Sequence, residues 1–147
     1  MQRIRNELAA KRRKARHYGV QALYKWHMIG GDPGEIVLEF CDEYDFINVD
    51  VEYFSNLLYS ISSQVEDLEA VLLPILDRKL DELDPIERSV LRLGTFELKK
   101  RPDIPYKVVI SESVALAKKF GATDSHRYIN GVLDKVARLL RSDEMVS

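Results

Sequence analysis

The chain reads as an all-α protein, and three observations carry that reading. Apolar residues recur at three- and four-residue spacings along most of its length. Glycine, proline and small polar residues punctuate these stretches where helices stop and start. No convincing run alternates with period two; Val108-Val109-Ile110 is the most strand-like, but it lies inside a helix-period pattern. With 147 residues, 46% of them hydrophobic, the chain suits one compact domain or two small subdomains sharing a core.

Taken in order, the first helix is expected over about Leu8 to Met28, where Ala15, Gly19, Ala22, Leu23 and Trp26 share one face. Gly30-Gly31 ends it, and Pro33 suits the first turn of a second helix to about Tyr44, with Ile36, Val37 and Phe40 apolar. Asn48 or Asp50 can cap a third, with Val51, Phe54, Leu57, Leu58 and Ile61 on its apolar face. A fourth runs near Val65 to Leu76, limited by Pro74. Asp84-Pro85-Ile86-Glu87 is a sharp helix start: Asp84 caps, Pro85 takes the first position, and Glu87 completes a capping box. Val90, Leu91, Leu93, Phe96 and Leu98 then supply a buried face, and Lys99, Lys100 and Arg101 suit the negative end of the dipole. The stiff Pro102-Asp103-Ile104-Pro105 leads to a sixth helix, Tyr106 to Phe120, stopped by Gly121. The seventh begins near Asp124, with Asp124 and Ser125 as capping groups and Ile129, Val132, Leu133, Val136 and Leu140 as its stripe. The acidic patch near residue 80 and the Asp84-Pro85 start suggest a division there into two helical halves.

Charge is distributed unevenly. Residues 1–18 hold seven Lys/Arg against one Glu, a net +6, and residues 19–147 hold fifteen against twenty-three Asp/Glu, a net −8. Lys11-Arg12-Arg13-Lys14-Ala15-Arg16 concentrates most of the positive charge. At the start of a helix such charges oppose the dipole and repel one another, so an anionic ligand would relieve them. Nucleic acid is the favoured ligand, ahead of a merely solvated terminus; a membrane surface is weak, because Arg12, Arg13 and Lys14 have no bulky apolar partners before Tyr18. Of Tyr24 and Trp26, about 200° apart on a helix, one is expected in the core and one nearer the surface, where Tyr24 could stack on a base; the alternative is that both pack inside.

Other chemistry finds little support. Cys41 stands alone, so no internal disulfide is available, and in its apolar setting it reads as a small buried hydrophobe. His17, His27 and His126 lack companions at metal spacing, and the neighbours Asp124, Ser125 and His126 cannot converge as a triad. There is no P-loop or dinucleotide fingerprint. No cofactor and no catalytic residue are expected. No apolar run approaches the ~18 residues of a membrane span, and no signal-peptide pattern follows the basic start. A cytoplasmic protein is the simplest expectation.

Two stretches carry a family resemblance. KRRKARHYGVQALYKW resembles the opening of the NusB family of bacterial transcription antitermination factors. RPDIPYKVVISESVALAKKFGATDSHRYINGVLDKVA resembles that family more specifically, with IPYKVVI, AKKFG, DSH and NGVLDK in family order. LDPIERSVLRLGTFEL resembles its fifth helix. The resemblance runs from about Lys11 to Leu140. It sets residues 1–10 apart as an N-terminal extension and 142–147 as a tail, around a domain of residues 11–141 with halves of about 11–80 and 81–141.

The resemblance implies two small helical bundles, binding to boxA RNA of ribosomal RNA leaders, a heterodimer with the ribosomal protein NusE, and entry into an antitermination complex with RNA polymerase. For some members it also implies a homodimer that hides the RNA face, and the choice between monomer and homodimer stays open. By position it implies RNA contacts at Arg12, Arg13, Lys14 and Arg16, at Asp124, Arg127 and Tyr128, and more weakly at Tyr24. Family members often carry phenylalanine where this chain has Tyr128. It places Asp81, Glu82 and Glu87 toward the partner, where carboxylates suit a basic ribosomal protein. The rival expectation is a protein–protein adaptor whose basic arm grips acidic partners without RNA sequence preference.

Overall fold

A computed structural model describes residues 1–145, and every regular element among them is helical. Val146 and Ser147 of the expected tail lie outside the described residues. The helices are α1 (Gln2–Ile29), α2 (Pro33–Glu43), α3 (Val51–Ser63), α4 (Val65–Leu72), α5 (Pro85–Lys100), α6 (Tyr106–Phe120), α7 (Ser125–Leu140) and the short α8 (Ser142–Met145), with one 3-10 turn at Leu80–Glu82. The chain divides into two compact units, Met1–Ser63 and Gln64 onward. The division falls ahead of residue 80 because α4 packs against α5.

In the first unit, α1 and α2 both pack on α3. Ala15, Val20, Ala22 and Leu23 of α1 meet a core of Phe40, Tyr53, Phe54, Leu57, Leu58 and Ile61. Gly30 and Gly31 both take positive φ, which ends α1 where residues with a Cβ would be strained. Asp32 accepts the Gly34 N–H at 2.9 Å, and Asp50, rather than Asn48, caps α3 by accepting the Tyr53 N–H at 3.0 Å. Val51 is 41% exposed; Tyr53 takes the buried place on that turn. Cys41 is half-buried, and burial pushes its thiol pKa up. Helix α1 starts at Gln2, two turns ahead of the expected Leu8, since nothing between residues 2 and 10 breaks a helix. The basic run 11–16 therefore lies well inside the helix, beyond the first turn where the dipole would oppose it.

In the second unit, α5 packs against α4, α6 and α7, and every residue from Ser89 to Leu98 is buried. Its capping box is formed as expected, with Asp84 accepting the Ile86 N–H and Glu87 returning to the Asp84 N–H. Its far end is closed by Arg141, which donates to the carbonyls of Glu97 (3.1 Å), Leu98 (2.8 Å), Arg101 (2.8 Å) and Ile104 (2.9 Å). Glu144 of α8 accepts from Arg141 and from the Tyr106 N–H, so residues 142–145 dock rather than trail as a tail. A Cβ on Gly94 would stand 2.7 Å from Leu133 Cδ1 and 3.0 Å from Ser113 Oγ, so α5 meets α6 and α7 with no room for a side chain there.

Glu69 of α4 accepts from Arg88 Nε at 2.7 Å and Arg92 Nε at 3.1 Å. Burial is the largest influence on its carboxyl and raises the pKa. Hydrogen bonds and charges from Arg88 and Arg92 together outweigh it and hold the group below its usual range.

Two predictions follow from this packing. Gly94→Ala is expected to lower stability by about 1–3 kcal/mol through overpacking, despite a helix-propensity gain of about 1 kcal/mol. Leu133 is fully buried and cannot swing aside, and urea denaturation reads the loss. Glu69 has a folded-state pKa below its unfolded one, so its contribution is fully present above the ordinary carboxylate pKa of about 4.3. That contribution is lost as pH falls through the folded value. Glu69→Gln is therefore expected to cost about 3 kcal/mol near neutral pH. The gap from wild type should narrow in denaturation curves taken near pH 3, below the ordinary carboxylate range; an undiminished gap would contradict this account.

Candidate nucleic-acid interface

Helical periodicity sorts the basic run of α1 onto different faces. Arg12 and Arg16, one turn apart, turn toward Tyr53 of α3, their guanidinium carbons 4.7 Å and 5.7 Å from its ring centroid. Arg12 Nε also lies 3.8 Å from Asp50 Oδ2, and the Asp50 N–H donates to the Lys11 carbonyl at 3.2 Å. Arg16 is only 4% exposed. It supports the helix from beneath rather than presenting charge to solvent. Arg12 is half-buried, and Lys11, Arg13 and Lys14 are exposed.

Further along α1, Tyr24 is 36% exposed and Trp26 half-buried, so Tyr24 is the outward member of the pair. Tyr18 instead joins an aromatic cluster, 5.0 Å from Tyr44 and 4.9 Å from Phe46.

In the second unit the start of α7 departs from expectation. Asp124 does not cap: it adopts φ 67°, and its side chain makes no capping hydrogen bond. Aspartate tolerates the left-handed region better than most residues, and its carboxylate lies 3.7 Å from Arg127 Nε in an exposed ion pair. Ser125 is buried and donates to Glu87 Oε2 at 2.7 Å. Glu87, half-buried, thus accepts from Ser125 and from the Asp84 N–H, tying the start of α7 to the start of α5. Asp81 and Glu82 are exposed on the 3-10 turn, where Glu82 accepts from the Lys79 N–H at 3.4 Å.

Tyr128 is the centre of a cluster that the sequence did not suggest. Its hydroxyl donates to Asp77 Oδ1 at 3.1 Å, and the Arg78 guanidinium lies 4.0 Å from its ring centroid. Arg78 Nε donates to the same Asp77 oxygen at 3.1 Å. The Arg78 and Tyr128 hydrogen bonds hold the Asp77 carboxyl below its usual range. Burial first, then the bond to Asp77, pushes the Tyr128 phenol up. The only sequence signal at Asp77-Arg78 was the turn after Pro74; its pairing with a residue fifty-one positions away has none.

Among the described residues no group of three or more His, Cys, Asp or Glu could hold a metal ion, and no helix is long and apolar enough to cross a membrane. An open groove of about 640 Å³ between α6 and α7, lined by Tyr106, Ile110, Val114, Lys118, Asn130 and Asp134, brings no reactive groups together. What these surfaces can do is present cations and aromatic rings to an anionic, base-bearing ligand.

Comparison with known proteins points to one family. The NusB family matches residues 13–138. A transcription antitermination protein NusB from Alcanivorax borkumensis is 52% identical over 133 residues, covering 90% of this chain and 89% of that protein. One from Yersinia enterocolitica is 49% identical over 132 residues, covering 90% and 96%. Among solved structures, T. maritima NusB superposes with a TM-score of 0.80 at 28% identity, covering 90% of this chain and 95% of that one. A crystal structure of the antitermination factors NusB and NusE in complex with dsRNA superposes at 0.79 and 29% identity, covering 86% and 96%.

The split of the basic run predicts two kinds of mutant. Arg16→Ala should lower stability by about 1–2 kcal/mol through lost packing and ring stacking. Arg13→Ala and Lys14→Ala should each stay within about 0.5 kcal/mol of wild type. Thermal melts of the three variants separate support from surface.

Proposed function

The chain belongs to the NusB family of transcription antitermination factors, and from that premise we propose that it binds boxA RNA of ribosomal RNA leaders together with NusE. The pair then joins RNA polymerase in an antitermination complex that favours complete ribosomal RNA synthesis, in the bacterial cytoplasm. The observation that carries the reading is the outward set Lys11, Arg13 and Lys14, carried on a helix whose inner arginines are already packed. These cations supply affinity by counterion release. Aromatic faces at Tyr24 and Tyr128 and the polar groups of Asp124 and Arg127 supply contacts to unpaired bases. Arg12 adds a partly shielded charge, and Arg16 acts through the helix it supports. Exposed Asp81 and Glu82 suit a basic ribosomal protein, while Glu87 shapes that surface from within. The protein acts by binding, with no chemical step of its own.

The test is binding of fluorescent boxA RNA against a scrambled RNA of equal length, at two salt concentrations, with and without NusE. Tighter binding to boxA, strengthened by NusE, is expected. Arg13→Ala with Lys14→Ala should weaken binding and flatten the salt slope by about 1.4, two single-strand phosphate contacts at about 0.7 each. Equal binding to both RNAs, with or without NusE, would leave an adaptor that takes any polyanion. Sedimentation at the same concentrations shows whether a homodimer competes with RNA.

A further inference from the structure

Given the RNA reading above, on which this rests, we propose that Arg78 is an additional phosphate-contacting residue, held in reserve by Asp77. Three contacts within the second unit lead to it. The Arg78 guanidinium lies over the Tyr128 ring, 4.0 Å from its centroid, so the cation covers one face of a ring that the RNA reading places on the RNA side of α7. Its Nε is engaged by Asp77 Oδ1 at 3.1 Å. The same oxygen accepts the Tyr128 hydroxyl at 3.1 Å, which fixes the ring against the turn carrying Arg78.

Asp77 therefore stands where an RNA phosphate would, as an internal anion on the cation. The Arg78 side chain is 39% exposed and Asp77 71%, so solvent and ligand reach both groups. A guanidinium can stack on a ring and still donate in its own plane. Arg78 can thus keep its place on Tyr128 while exchanging one anion for another. An incoming phosphate bears a full charge and several acceptor oxygens, and it need not move the ring. The exchange weakens RNA binding by the cost of releasing Asp77. It also disfavours ligands that bring a base without a phosphate at that spacing.

The test is a double-mutant cycle read by RNA binding across a salt series. Asp77→Asn keeps the shape and an acceptor for Tyr128 but removes the competing charge. Freeing one phosphate contact should steepen the salt slope by about 0.7, which corresponds to about fivefold tighter binding at 0.1 M salt relative to 1 M. Adding Arg78→Ala should abolish that gain. A gain that persists without Arg78 would mean that Asp77 acts only through net charge, and an Asp77→Asn variant with wild-type affinity and slope would remove the reserve; either overturns the inference. Arg13→Ala with Lys14→Ala, run in parallel, keeps the two questions apart. RNA binding that depends on the α1 cations but not on Asp77 or Arg78 sinks the inference alone. Absence of RNA binding by the wild type sinks both it and the functional reading.

Discussion

Helix α5 is buried along ten consecutive residues, Ser89 to Leu98, and along that stretch its polar side chains and its last enclosed carbonyls must find partners within the protein. The rest of the second unit answers that constraint. Asp84, Glu87 and Ser125 close the amino end. At the carboxyl end one guanidinium, Arg141, donates to four backbone carbonyls and brings a positive charge to the negative end of the dipole. Arg92, also inside, is matched by Glu69 from α4. Two hydroxyls, Thr95 Oγ1 and Ser113 Oγ, are buried without a hydrogen-bond partner, a local cost of about 1–3 kcal/mol each. Close packing through Gly94 is the compensating gain, because α6 and α7 approach α5 where a methyl group would not fit.

This enclosure also sets the surface proposed to meet RNA. The Glu87–Ser125 bond couples the first turn of α5 to the first turn of α7, so the cap that starts the buried helix also fixes where Arg127 and Tyr128 emerge. The segment between α4 and α5 has Glu69 behind it and the capped Asp84 ahead, and it delivers Asp77 and Arg78 to the Tyr128 ring. A carboxylate that reads as a partner contact from its position, Glu87, is thus first an architectural group. Exposed Asp81 and Glu82 lie on the turn just before it.

What could be read from the sequence follows the range of the interaction. The α5 capping box is local, three residues wide, and forms as its letters suggest. The Gly30-Gly31 stop, Pro33 at the start of α2 and the Tyr106–Phe120 helix were legible for the same reason. Arg141 was not, since its acceptors lie 37 to 44 residues away and nothing local distinguishes it from any arginine after a helix. The division near residue 80 looked sound because Asp84-Pro85 is a strong break. A break in the helix is not a break in packing, and α4 belongs with α5. Asp124 carried the right letter for a cap, but capping needs an extended backbone, and at φ 67° its side chain makes no capping bond.

The basic run shows the same limit most clearly, and it changes how the proposed RNA binding should be pictured. As a string of letters it is five cations in six residues, self-repelling, and arginine-rich segments often order on RNA binding. On the helix, two of those cations turn inward to a single ring, Tyr53, and one of them also lies near Asp50. Only arginine suits that place, since a planar guanidinium stacks on a ring face while a lysine ammonium keeps its hydration. The inward pair fixes the rotation of α1, and with it the direction in which Lys11, Arg13 and Lys14 point. The ordering entropy that a flexible arm would lose on binding has been met during folding, which favours affinity through preorganisation. Charge count alone could not separate the arginines that hold the surface from the cations that form it.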